Sequence, residues 1–287
     1  MSNELAKPQD TLKAFFDKDG VKKKFEDMLG KRSVQFITSV LQIANNNTLL
    51  SKSDPISIYN AAASAATLDL PLNNNLGFAW IVPYGGKAQF QIGWKGFVQL
   101  AMRTGQYKKI NVVEVYESQF ISWNSLTEEL KADFEKEGTG KVVGYCAYFI
   151  MVNGFEKIVY WSADKVKAHG KRYSKTFGNG VWKDEFDKMA KKTVLKNMLS
   201  QWGYLSVELM NAIKVDQSVV KSDNIEETEV EYVDAPAEVD KEQERIQLML
   251  NRCFTVDEVS VLADSLEQAD YDKYEHLIIE RKKELSK

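Results

Sequence analysis

Two adjacent glycines, Gly85 and Gly86, separate a near-continuous apolar run, Gly77 to Tyr84, from an alternating segment, Lys87 to Ile92. Glycine reaches positive φ without steric cost, so the pair can supply both residues of a tight hairpin turn. That turn fixes a register: Tyr84 opposite Lys87, Val82 opposite Gln89, Trp80 opposite Gln91. Directly paired residues share a face. One face then holds Ala79, Ile81, Pro83, Ala88, Phe90 and Ile92, all apolar, and is expected to be core. The other combines Trp80 and Tyr84 with Gln89, Gln91 and Lys87. Aromatic planes, amides and a cation suit bases and phosphates; the plainer alternative is the wet face of an amphipathic sheet. After Gly93 the spacing predicts a helix over 94–104, with Gly105 as its C′ residue. Lys95, Gln99 and Arg103 recur at four-residue steps on one side of it, and Lys108 and Lys109 follow.

The charge of the 287-residue chain is unevenly spread. Residues 1–214 carry 29 Lys+Arg and 21 Asp+Glu, a balance of +8; residues 215–287 carry 9 and 20, a balance of −11, and together these give the net −3. A basic body that meets an anion, followed by an acidic tail, fits this division. Only Cys146 and Cys253 are present, so no disulfide framework is expected and a reducing cytosol is the natural setting. With His169 and His276 as the only histidines, neither a zinc site nor a histidine-based triad is expected. No apolar run reaches membrane-spanning length, and MSNELAKPQDTLKAFF lacks a signal-peptide core.

Residues 1–10 are expected to be flexible. Thr11 to Gly30 predicts one or two short helices broken near Gly20, with Lys22-Lys23-Lys24 and Lys31-Arg32 as basic clusters, and Ser33 to Ala44 predicts an amphipathic helix. Asp54-Pro55 is an N-cap followed by Pro at N1, opening an alanine-rich packing helix. Strands are expected at 110–116, 142–152 and 155–161, the last two joined by Asn153-Gly154, with a surface excursion over 125–140. Ser162 is expected to cap a short helix ended by Gly170. KRYSKTFGNG at 171–180 mixes Lys171, Arg172 and Lys175 with Tyr173 and Phe177, a composition that can wrap single-stranded nucleic acid or simply be a basic surface loop. Val181 to Trp202 predicts one long helix with an apolar stripe ending in Trp202, and with Lys188, Lys191, Lys192 and Lys196 crowding another face. Residues 164–214 hold 11 basic and 5 acidic side chains. The fold expected is α+β: an antiparallel sheet of hairpins flanked by helices, plus a small C-terminal helical module. The expected divisions are a DNA-binding and oligomerisation core at 1–214, an acidic disordered linker at 215–240 and a helical partner-binding module at 241–287.

Nucleotide-binding motifs are absent. Gly138-Thr139-Gly140-Lys141 is followed by Val142 where a phosphate-binding loop requires Ser or Thr, and Glu135 stands where it requires Gly. Acidic pairs such as Glu114 and Glu117, or Asp184 and Glu185, leave a Mg²⁺ nuclease as a minor alternative. Three strings, LPLNNNLGFAWIVPYG at 70–85, AQFQIGWKGFVQLAMRTGQY at 88–107 and FDKMAKKTVLKNML at 186–199, carry a resemblance to the RecT single-strand annealing proteins of phages and prophages. The resemblance covers most of 11–214. It implies ATP-independent pairing of complementary DNA strands within homo-oligomeric rings or helical filaments, and a core like that of eukaryotic annealing proteins. It implies binding of single-stranded DNA and the annealed duplex, a companion exonuclease and the host single-strand-binding protein as partners, and a location in the bacterial cytoplasm. No catalytic residue and no cofactor are expected; Mg²⁺ would be at most a modulator without a dedicated site. The alternative is a binding module that protects single strands without pairing them. Phosphate contacts are expected from Lys95, Arg103, Lys108, Lys109, Lys171, Arg172, Lys191, Lys192 and Lys196. Base contacts are expected from Trp80, Tyr84, Gln89, Gln91, Tyr173 and Phe177.

Overall fold

The structure is a computed structural model that describes residues 8–174, 177–221, 230–231, 246, 249–250, 253, 255–266 and 268–285. The chain forms two compact units, Met1–Asp234 and Ala235–Lys287. The first unit is α+β, with small antiparallel sheets flanked by helices. It opens with α1 (Pro8–Phe16), α2 (Asp19–Leu29) and α3 (Ser33–Asn45). The expected break near Gly20 falls at Asp17-Lys18, with Gly20 itself in the first turn of α2. Asp54 caps α4 (Pro55–Thr67), accepting from the N–H groups of Ile56 and Ser57. The alanines of α4 are buried, which lets the helix pack closely against the first hairpin.

That hairpin, β1 (Ala79–Tyr84) and β2 (Lys87–Ile92), has the register dictated by the glycine pair. Gly85 and Gly86 take φ of 55° and 79°. Ala79, Ile81, Ala88, Phe90 and Ile92 are buried, as the face assignment requires. A Cβ on Gly93 would stand 2.3 Å from the Gly77 carbonyl oxygen and 2.6 Å from the Trp80 ring, so only glycine fits beneath that crossing. α5 (Trp94–Arg103) follows, and Gly105 turns the chain at φ 68°.

A three-stranded sheet of order β3-β6-β7 comes next, from β3 (Tyr107–Tyr116), β6 (Val142–Met151) and β7 (Glu156–Ser162). Gly154 makes the predicted turn at φ 89°. β4 (Phe120–Asn124) precedes the expected surface excursion 125–140, and β5 (Glu129–Ala132), inside that excursion, pairs with β4 as a hairpin. Phe120, Trp123 and Leu130 cover Val115, Cys146 and Tyr160 on one face of the larger sheet. The opposite face, including Val112, Ala147, Phe149 and Val159, packs in the main core with α6 (Ala163–Tyr173) and α8 (Phe186–Trp202).

Three helical expectations change. Gly170 does not end α6, which continues to Tyr173; a Cβ at Gly170 would lie 2.5 Å from the Phe177 ring, so glycine there makes room for packing. The long helix predicted from Val181 is broken at Glu185 (φ −136°, ψ 46°) into α7 (Val181–Asp184) and α8. Trp202 is exposed rather than core, with the Lys157 ammonium 3.4 Å from its ring centroid.

The body also runs past Lys214. After α9 (Val207–Val215), Asp216, Ser218, Val219 and Val220 are buried. Gln217 donates to the Phe90 carbonyl and Phe90 donates to the Ser218 carbonyl, adding a short third rung beside β2. β8 (Val219–Val220) then pairs with β9 (Val230–Glu231). The rest of the predicted acidic stretch 222–240, residues 1–7 and Lys175 lie outside the described residues.

The second unit has its own core of Ile246, Leu250, Val259, Tyr274, Leu277 and Ile278. A helix over Val256–Asp264 begins with a reciprocal capping box between Thr255 and Glu258, and a second helix spans Gln268–Leu285. No helix among the described residues is long and apolar enough to cross a membrane.

Candidate nucleic-acid interface

The nine cations and six base-contact residues predicted from sequence fall into distinct environments. On α8 the helical spacing is real but the solvation is not. Lys192 is buried, and its ammonium lies 2.8 Å from Asp216 Oδ1; Lys196 reaches Asp216 Oδ2 at 2.8 Å. Asp216 is fully buried and also accepts from the Ile92 N–H at 2.8 Å. Burial by itself would raise the Asp216 carboxyl, but the two ammoniums hold it below its ordinary value, so it stays ionised. Burial lowers the Lys192 ammonium from its ordinary range, against the pull of Asp216. These two lysines join α8 to β2 and to the end of α9, so both ammoniums expected to grip phosphate are paired inside the fold. Lys191 is half-buried, 2.7 Å from Glu114 Oε1 and 5.4 Å from the Trp94 ring centroid.

Arg103 is likewise engaged. It donates to the carbonyls of Leu68 and Asp69, both at 2.7 Å, where α4 ends and Asp69 takes φ 48°. Arg32 reaches the Asp69 carboxylate at 2.8 Å. This arrangement satisfies carbonyls that a helix C-terminus leaves open. Gln89, expected to contact bases, is buried, donates to the Gln217 carbonyl at 2.6 Å and accepts from Gln91 at 3.0 Å. Phe177 packs against Trp182 and Phe186, with ring centroids at 5.4 and 6.5 Å, and covers Gly170. Its ring belongs to the core margin.

The remaining cations face solvent. Lys95, Lys108, Lys109, Lys171 and Arg172 are exposed, and none of the five makes an ion pair among the described residues. Three local groups result. At the start of α5, Lys95 lies 5.8 Å from the Trp94 ring centroid, and half-buried Trp80 is next to it over Gly77. At the start of β3, Lys108 and Lys109 line an open depression of about 440 Å³ with Met102, Asn111 and Tyr148. At the end of α6, Lys171 and Arg172 flank exposed Tyr173, whose ring is 4.6 Å from that of His169 and 5.5 Å from the Arg172 guanidinium carbon. Burial, then the nearby Lys196, Arg172 and Lys165 charges, push the His169 pKa down, which favours a neutral imidazole under the tyrosine. Tyr84 is half-buried in the β1 face. Each of the three groups sets solvent-facing cations beside an aromatic ring, the chemistry that holds a phosphodiester chain and stacks its bases.

Tyr148 and Trp94 were missed as partners of these cations. Tyr148 lies inside an unbroken apolar run, and Trp94 reads as part of a core stripe; only strand register and helix packing show where each ring stands.

Residues 34–232 match the RecT family. The chain belongs to that family. Protein RecT of Escherichia coli (strain K12) is 27% identical over 180 residues, covering 58% of this chain and 65% of that one. An uncharacterized protein of Bacillus subtilis (strain 168), YqaK, is 53% identical over 204 residues, 71% of each chain. As a RecT-family protein it is a single-strand annealing and recombination protein, one that binds single-stranded DNA and oligomerises, and the family is not one of catalytic enzymes. Among the described residues, no group of three or more His, Cys, Asp or Glu could hold a metal ion.

Proposed function

We propose that this RecT-family protein pairs complementary DNA strands without ATP, inside a homo-oligomeric filament or ring. The observation that carries the reading is the family match over residues 34–232. In this reading Lys95, Lys108, Lys109, Lys171 and Arg172 hold the sugar–phosphate chain of one strand and then of the annealed duplex. Tyr173, Trp80 and Tyr148 stack on or between bases, with Tyr84 and Gln91 at the edge of the hairpin face. Pairing requires that the hydrogen-bonding edges of the bases stay open, so charge and stacking supply the affinity and side-chain hydrogen bonds to base edges do not. The small helical unit, 235–287, docks partners, a companion exonuclease or the host single-strand-binding protein.

Mixing two complementary oligonucleotides with the protein, with and without ATP, tests the reading. Faster duplex formation in both mixtures is the expected result. Slower pairing would make the protein a protecting module, shortened strands a nuclease, and a strict need for ATP would remove the proposed mechanism.

A further inference from the structure

The turn from α8 into α9 carries a run without charge, Trp202 to Val207, whose large side chains stand outward. Trp202, Tyr204, Val207 and Met210 are exposed there, and the β6–β7 turn adds Val152 and Phe155; the six range from 41% exposed at Phe155 to 66% at Val152. The two segments are joined. The Tyr204 N–H donates to the Tyr107 hydroxyl at 2.8 Å, the Tyr107 ring lies 5.4 Å from Phe149, and Phe149 lies 5.9 Å from Phe155. The Val152 N–H donates to the Gln106 carbonyl, beside Tyr107. Lys157, two residues from Phe155, lies under the Trp202 ring and is paired with Glu128. Gly203 permits the crossing, because a Cβ there would meet the Leu199 carbonyl oxygen at 2.6 Å and the Tyr107 hydroxyl at 2.7 Å.

We propose that this aromatic and apolar patch is where a second copy of the chain docks. The inference rests on the patch's geometry and stands apart from the DNA reading. With aromatic side chains of roughly 150–250 Å² each, and the two valines and Met210 at about 150–200 Å², the exposed fractions of all six amount to on the order of 500 Å². An exposed apolar cluster of that size on two joined segments marks an interaction surface. It would form the centre of an interface of about 800 Å² per partner, the area a stable pairing of two proteins buries. Trp, Tyr, Phe and Met with few charges is the composition of an interface core. A polyanion needs cations, and Lys157, the cation beneath the Trp202 ring, is already held by Glu128. The hydrogen bond from Tyr204 to Tyr107 fixes the patch before docking, so little ordering cost falls on association.

Val207→Glu with Met210→Glu tests this on the full chain without DNA. Position 207 opens α9, where an acidic side chain favours the helix, so folding should survive, as far-ultraviolet circular dichroism will report. Sedimentation velocity should show the wild type assembling with concentration and the double variant needing roughly thirtyfold more protein or staying monomeric. A folded variant that assembles like wild type overturns the proposal. A second measurement uses Val207→Cys, the two native cysteines being buried. The new thiol should lose reactivity to a maleimide as protein concentration rises through the assembly range. Constant reactivity overturns the proposal, and so does protection by a short oligonucleotide added to dilute monomer, which would make the patch a base-stacking surface.

Discussion

The lysines of α8 and the cations at the end of α6 lie within one stretch of local positive excess, yet they serve different ends. On α8, Lys192 and Lys196 are turned inward onto Asp216, and Lys191 onto Glu114. At the end of α6, Lys171 and Arg172 remain in solvent beside Tyr173. What separates the two regions is the supply of carboxylates. Glu114 and Asp216 lie far away in sequence but are folded against α8. Lys171 and Arg172 meet no such acidic partner among the described residues; the ion pair of α6 joins Lys167 to Asp164, nearer its start. Local charge therefore counts candidates for phosphate binding, and tertiary counter-charge decides which remain available.

The largest consequence is for stability. Lys192→Ala leaves Asp216 buried with only Lys196 beside it, and breaking a buried pair costs about 3–5 kcal/mol. Urea denaturation should show that loss; a change under about 1 kcal/mol would mean the α8 lysines are not internal. Next is acid response. Because the folded Asp216 carboxyl is held below its ordinary 3.8, its contribution is complete above that value and is lost as pH falls through the lowered one. Asp216→Asn should be less stable at neutral pH and should lose part of the acid-limb slope seen in wild type. An identical slope would point to other carboxylates.

The solvent-facing region should respond in binding and not in folding. Tyr173→Ala should weaken single-strand affinity by about 1–3 kcal/mol, one stacked base, with the melting curve unmoved. If the melt shifts and affinity does not, the ring is merely a cover for His169. The smallest effect on stability, within about 0.5 kcal/mol, is expected for Lys171→Ala with Arg172→Ala. The same pair should reduce the slope of log affinity against log salt by about 1.4, at roughly 0.7 per phosphate contact on a single strand. Should Lys192→Ala change that slope while Lys171→Ala with Arg172→Ala leaves it alone, the contrast between the two regions is reversed.

Local chemistry was the legible part of the fold. The Gly85-Gly86 pair specified a six-pair register and Asp54-Pro55 its helix start, because each depends on residues within a few positions. β5 and its pairing with β4 were not legible, since Ser125 to Gly140 is polar and contributes only Leu130 to the packing that Phe120 and Trp123 begin. The end of the body was hidden for a similar reason: the charge balance changes near Lys214, but Asp216 is an acidic residue that belongs to the basic side. At the candidate interface, residue type identified the cations, while Gln217 and Asp69 decided that Gln89 and Arg103 are occupied. Partners more than 30 residues away leave no periodic trace.

The bond from the Ile92 N–H to Asp216 spans 124 residues of chain. A ribosome that has just released Ile92 must therefore add all of that length, on the order of 6–25 seconds of synthesis, before β2 can be sealed. Until then Lys192 and Lys196 of α8 lack their counter-ion inside the emerging body. A gene fragment cut at codon 214, where the composition invites a cut, would encode a protein with its keystone missing.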